Sequence, residues 1–154
     1  TNRTKWTQDG IGEVRCEVDE GADYGTLGIL YLARQPRGRV VLINEIAEAQ
    51  GVPESYLAKI FRMAKAGLVR SHRGARGGFS LARLPEEITL RQIIEAIEGP
   101  VALNRCLDPR EGCGQSAGCS VHTALAEVQR TLIDALDTVT LQSLAAQQLP
   151  TQVP

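Results

Sequence analysis

The sequence predicts a mainly α protein with a small β-hairpin wing: a winged helix-turn-helix unit followed by a long C-terminal dimerisation helix. Three observations carry that expectation. Two short helical patterns meet at Gly51, with Ile46 and Ala47 before the turn and Val52, Pro53, Leu57 and Ile60 after it. A basic glycine-rich turn, Ser71-His72-Arg73-Gly74-Ala75-Arg76-Gly77-Gly78, joins two strand-like runs. Val121, Leu125, Val128, Leu132, Leu136 and Val139 recur at intervals of three and four, the narrow seam of a helix that packs against another helix.

Length and composition bound the reading. The 154 residues allow one domain, or a small domain with an arm. Aromatics make up only 4%, so the core falls to Leu, Ile, Val and Ala. The net charge of −1 hides local patches, which must be sought by segment. No apolar run approaches the ~20 residues that span a bilayer, and no signal-peptide pattern opens the chain. The expectation is a cytoplasmic protein without membrane association, whose cysteines stay reduced. There is no Cys-x-x-Cys pair, dinucleotide glycine motif or acid–base pair, which speaks for a regulator and against a redox enzyme.

The elements follow in order. Residues 1–21 are polar and charge-mixed and read as a poorly ordered arm, with a short strand near Glu13 to Val18 and an isolated thiol at Cys16. Asp23 is placed to N-cap a helix that runs to about Gln35, with Leu27, Leu30, Tyr31 and Arg34 on its inner face. Pro36 and Gly38 end it, and Val40 to Leu42 is a short β-type run. In the helix pair, Ala47 is small enough for close crossing, Gly51 lets the backbone turn, and Pro53 opens the second helix without losing a hydrogen bond. Leu68 to Arg70 and Phe79 to Ala82 are the strands of the wing. Thr89 and Gln92 form a capping box for a helix with a Leu90, Ile93, Ile94 and Ile97 stripe, stopped by Gly99 and Pro100. The chain thus divides into a DNA-binding unit over 22–99, a cysteine-rich loop over 100–119, a dimerisation helix over 120–146 and a tail over 147–154.

Two segments carry chemistry. On the second helix, Ser55, Tyr56 and Lys59 face base edges or phosphates, with Arg62 further along. At the wing, Ser71, His72, Arg73 and Arg76 suit phosphates or the electronegative minor groove. The competing reading is a solvated hairpin, but Lys59, Arg62 and Lys65 beside it make the basic footprint expected of nucleic-acid binding. The second segment runs from Cys106 through Cys113 and Cys119 to His122, with intervals of six, five and two residues. Glycines, Pro109 and small polar residues fill it, so hydrophobic packing cannot fix its shape. Thiolates at this spacing suggest a metal or cluster, against a surface loop with incidental thiols. A zinc module with three cysteines and one histidine that binds RNA is an alternative, but no aromatic lies between Cys106 and His122 to stack a base. A cluster-free winged-helix repressor is another.

The residues Ile46-Ala47, Pro53 to Leu57, Lys65 to Val69, Ser71 to Phe79 and Ile94 to Gly99 closely resemble the Rrf2 family of bacterial transcription regulators. The resemblance covers roughly residues 22–145. It implies a winged-helix homodimer on a pseudo-palindromic, double-stranded promoter site. For members with the three cysteines it implies an iron–sulfur cluster that controls DNA affinity in response to iron, redox or nitric oxide status. Members that regulate cluster assembly add a histidine separated by two residues from the third cysteine and hold [2Fe-2S]; His122 stands there. Members that sense nitric oxide hold [4Fe-4S] with an aspartate donated across the dimer; Asp23 of the partner subunit aligns with it. The ligand set Cys106, Cys113, Cys119 and His122 with [2Fe-2S] is preferred, since a nitrogen ligand in the same loop needs no partner geometry. The chain departs from the family pattern in its arm and in a segment from Tyr56 to Gly67 that is one residue shorter. One residue turns a helix exit by about 100° and re-aims the wing.

Overall fold

The computed structural model describes residues 20–64, 67–74 and 77–147, with side chains at 20–22 and 62–64 left aside. The arm, its Cys16 and the short strand expected there lie outside these residues, as does the tail beyond 147. The described chain forms helices α1 (Glu20–Ala33), α2 (Ile43–Gln50) and α3 (Glu54–Ala64), strands β1 (Val69–His72) and β2 (Gly78–Leu81), then helices α4 (Leu90–Glu98), α5 (Ser120–Thr138) and α6 (Leu141–Ala146).

Helix α1 is the hub, touching α2, α3, α4, α6 and β2. Its inner face differs from the one expected. Gly25, Gly28, Ile29 and Leu32 are buried, with Leu30, while Leu27 and Tyr31 are half-buried and Arg34 is exposed. Glycine decides the difference. A Cβ at Gly25 would collide with Ile97 and Ile60, and one at Gly28 would press on Leu57 and Phe61. A count of large apolar side chains misses a face built from absent ones. Asp23 is also corrected: α1 begins at Glu20, so Asp23 lies within the first turns, exposed, and is not the N-cap.

The helix-turn-helix forms as expected. Gly51 takes the left-handed conformation, φ 65°, and its N–H bonds the Ala47 carbonyl. Pro53 sits one residue before α3, where its carbonyl accepts from the N–H groups of Tyr56 and Leu57. Leu57, Ile60 and Phe61 are buried against α1 and α2. The wing pairs Val69 with Leu81 and His72 with Gly78, antiparallel, so Ser71 and His72 belong to the strand and not to the turn. Val41 bridges Phe79 as a third, single-residue rung. Gly78 lets it approach, since a Cβ there would meet the Val41 carbonyl.

Helix α4 opens on the expected box: Thr89 Oγ1 accepts from the Gln92 N–H, and Gln92 Oε1 accepts from the Thr89 N–H, both at 3.3 Å. Ile93 and Ile97 are buried, Leu90 and Ile94 partly so. The single helix expected over 120–146 is two helices. The chain is extended at Val139 and Thr140, where Thr140 bridges Thr89 and caps α6 by accepting from the Ser143 N–H at 3.1 Å. Leu141, fully buried, then draws α6 back against α1 and the turn at Pro85–Glu87.

Candidate DNA interface and cysteine loop

On α3, Ser55 and Lys59 are exposed four residues apart and so share a face. Tyr56 is half-buried, its ring edge-on to Tyr24 of α1 with centroids 5.4 Å apart and planes at 89°. The Arg62 side chain lies outside the described residues, as do Lys65 and Ala66. In the wing, Ser71 is half-buried, and His72 Nε2 lies 2.8 Å from the Oγ of buried Ser80 across the hairpin. His72 thus braces the two strands. Arg73 is exposed at the head of the turn, beside Gly74 at φ 108°. Arg76 lies outside the described residues.

The cysteine loop is less formless than its composition suggests. Its first half is pinned by Asp108, which is buried and accepts from the Arg110 N–H at 2.8 Å, from Nε at 2.9 Å and from Nη2 at 2.6 Å. This pairing holds the Asp108 carboxyl well below its ordinary range, at about 2. Arg110 in turn lies over Gly99. Arg105 Nε donates to Glu111 Oε2 at 2.6 Å across the same turn. The loop is tied to the helices before and after it: Val101 N–H donates to Glu95 Oε1 at 3.3 Å, and Leu103 N–H donates to Gln129 Oε1 at 3.0 Å.

Cys106 lies in a 3₁₀ turn (Arg105–Leu107), half-buried; Cys113 is exposed; Cys119 is half-buried at the N-cap of α5. None of these three is in a disulfide. Cys119 Sγ accepts from the His122 N–H at 3.5 Å, in the first turn of α5. His122 Nδ1 is buried and has no hydrogen-bond partner. An imidazole nitrogen and thiols are donor types that suit iron or zinc. Yet among the described residues no three His, Cys, Asp or Glu side chains converge closely enough to hold a metal ion. The donors fit an iron or zinc centre in chemistry, and the loop would have to draw inwards to bring them together. No helix among the described residues is long and apolar enough to cross a membrane.

Sequence reasoning did not single out Asp108, Arg110, Arg91 or Asp137. Arg91 Nη1 donates to Asp137 Oδ2 at 3.0 Å, joining α4 to the end of α5 across 46 positions. Only the fold brings these charges together, so no local pattern announces them.

Comparison with known proteins gives this architecture a family. The Rrf2 family model, described as iron-dependent transcriptional regulators, matches residues 18–147. An HTH-type transcriptional regulator of Mycobacterium tuberculosis is 35% identical over 137 residues, 86% of this chain and 83% of the relative. An rrf2-like HTH-type regulator of Rhodobacter capsulatus is 32% identical over 120 residues, 74% of this chain and 80% of the relative. Among solved structures, T. potens IscR aligns with a TM-score of 0.69 and 28% identity, covering 93% of this chain and 96% of that one. CymR, the global cysteine regulator of B. subtilis, aligns with a TM-score of 0.69 and 27% identity, covering 86% and 98%. These relatives are regulators and not enzymes. With its wing, its helix-turn-helix and its returning C-terminal helices, the chain belongs to the Rrf2 family of transcriptional regulators.

Proposed function

We propose that the chain works as a homodimer on double-stranded promoter DNA, and that an iron–sulfur cluster on Cys106, Cys113, Cys119 and His122 controls its affinity. The observation that carries this reading is the place of the thiols. They lie between the helix-turn-helix with its wing and α5, a 19-residue helix with no buried residue among those described. Val121 and Val128 are 61% and 57% exposed on the seam, beside half-buried Leu125, Leu132 and Leu136. A second copy of the same seam is the self-complementary cover that a twofold dimer provides.

In this reading residues 22–99 are the DNA-binding unit, 100–119 the sensing loop, and α5 the pairing helix. Helix α3 enters the major groove, with Ser55 and Lys59 on the accessible face and Lys59 suited to guanine. Arg73 reaches the adjacent minor groove, and Arg62 and Arg76 extend the basic surface. Tyr56 and His72 contribute more by bracing α3 and the wing than by reaching out, as their contacts with Tyr24 and Ser80 favour. When bound, the cluster would supply an iron centre whose retention depends on iron supply, oxidant or nitric oxide. [2Fe-2S] with His122 is the preferred form, supported by the unpartnered Nδ1; [4Fe-4S] with the partner subunit's Asp23 is the alternative, and Asp23 is exposed. Ordering the loop fixes the angle of α5 to the DNA-binding unit and so shifts the population competent for DNA.

The test is anaerobic purification with an absorption spectrum, iron and sulfide counts, and DNA affinity before and after chelation. Bound iron with chelation-sensitive affinity is expected. Protein that binds its promoter equally well without iron would establish instead the cluster-free repressor, the reading favoured by the three thiols not converging.

A further inference from the structure

The joint between α4 and α5 carries more contacts than chain connection requires. Asp137, in the last turn of α5, accepts from Thr89 Oγ1 at 3.2 Å and from Arg91 Nη1 at 3.0 Å. Arg91 also pairs with Glu95 one turn along α4, with 3.2 Å between Nε and Oε2. Beneath these side chains runs a backbone rung: Leu90 N–H donates to the Val139 carbonyl and Leu141 N–H to the Ile88 carbonyl, each at 2.8 Å. Ile88 and Leu141, on either side of the rung, are fully buried.

The two halves of this joint do different things. The backbone rung fixes where the chain passes from α5 to α6. It cannot alone fix how α5 is inclined, because a single rung is a hinge. The carboxylate of Asp137 sits on α5 itself, before the hinge. Gripped at both oxygens by residues of α4, it sets the inclination. Within the DNA-binding unit, α4 is packed on α1, with Ile93 and Ile97 buried and Ile97 seated against Gly25. The path from α5 to α3 runs through the partly exposed Asp137–Arg91 pair and then buried Ile97 and Ile60 at Gly25.

We propose that Asp137, through Thr89 and Arg91, is a positioning residue that sets the separation of the two recognition helices, and so the half-site spacing that the dimer accepts. This rests on the reading of α5 as the dimer helix. For a twofold protein, half-site spacing mirrors the distance between recognition helices, and a small change in inclination at the joint is magnified at the α3 end. A role confined to stability would weaken binding at every spacing alike. A role in inclination changes the spacing profile.

The experiment uses the full chain, purified anaerobically, and a duplex selected from random DNA by the wild type. The spacer between its half-sites is then lengthened and shortened by one base pair. The wild type should prefer the selected spacing sharply. Asp137→Ala and Arg91→Gln should remain dimers in sedimentation yet lose roughly fivefold of that preference, the size of the coupling an exposed pair supplies. Asp137→Glu, which keeps the carboxylate, should recover part of it. A dimeric Asp137→Ala with the wild-type profile, or one weakened equally at all spacings, overturns the inference and leaves the dimer reading standing. If Asp137→Ala does not fold, the Arg91→Gln profile decides in the same way. A monomeric wild type overturns the dimer reading and this inference with it.

Discussion

Asp108 shows how one carboxylate can give shape to a loop that buries almost nothing. Its hydrogen bonds from Arg110 hold its carboxyl at about 2. A depressed carboxylate stabilises above its unfolded pKa, near 3.9, and that contribution is lost as pH falls through the folded value. Amide protection at 110–112 should therefore be flat from pH 8 to about pH 4 and fall only below that. Asp108→Asn should lose the protection already at neutral pH; hydrogen exchange that is unchanged in the variant would show that the turn holds without the pair. Gly25 makes the opposite kind of contribution, through an absent atom. Gly25→Ala drives a methyl into Ile97 and Ile60, and overpacking of this kind costs about 1–3 kcal/mol in urea unfolding. A stability within error of the wild type would mean that α1 slides freely against α4. Arg73 is exposed and has no partner among the described residues, so Arg73→Ala should leave stability alone. It should cost about 1–3 kcal/mol of specific DNA affinity if it reads a base, and act evenly across sequences if it meets only phosphate. Unchanged affinity for the selected site would take it out of the interface.

Among elements, what could be read from the sequence is what has a local cause. The Thr89 capping box and the Gly51 turn each depend on residues within a few positions and form where expected, and the wing forms with its strands shifted toward the turn, to Val69–His72 and Gly78–Leu81. The inner face of α1 is legible at Leu30 and Tyr31, which join or pack on the core, but not at Gly25 and Gly28, whose close approach to α3 and α4 depends on partners distant in sequence. The break between α5 and α6 has the same origin. Val139 continues the seam, so the period suggests one helix, but Thr140 caps a new helix and pairs with Thr89, and Leu141 leaves the seam for the core. At the candidate site, type and spacing single out the thiols and His122 as candidates. The Arg91–Asp137 joint is not legible, because it arises only when remote segments meet, and the Asp108–Arg110 pair, though its members lie two residues apart, has no sequence pattern that marks it.

At the scale of the molecule, the question is which fourth ligand would close the proposed cluster, because the two candidates imply different assemblies. His122 keeps the site within one chain, so each protomer binds its own iron whether or not it is paired. Asp23 comes from the partner subunit, so binding iron and pairing become one event. Replacing Leu132 and Leu136 by Lys, which breaks the α5 seam, therefore separates the two, with sedimentation reporting the monomer. If His122 is the ligand, the monomer keeps its visible spectrum, and His122→Ala weakens it in monomer and dimer alike. If Asp23 is the ligand, the monomer loses iron, and Asp23→Ala does the same in the dimer. The preferred outcome is the first, since His122 Nδ1 is buried without a partner, while exposed Asp23 keeps its hydration without iron. In either case Cys106→Ala, Cys113→Ala and Cys119→Ala should each abolish or strongly weaken iron binding, because thiolates supply most of the coordination. Cys16→Ala should leave iron content unchanged. Wild-type protein reconstituted anaerobically that holds no iron would sink both assignments and leave the loop as a structural link between α4 and α5.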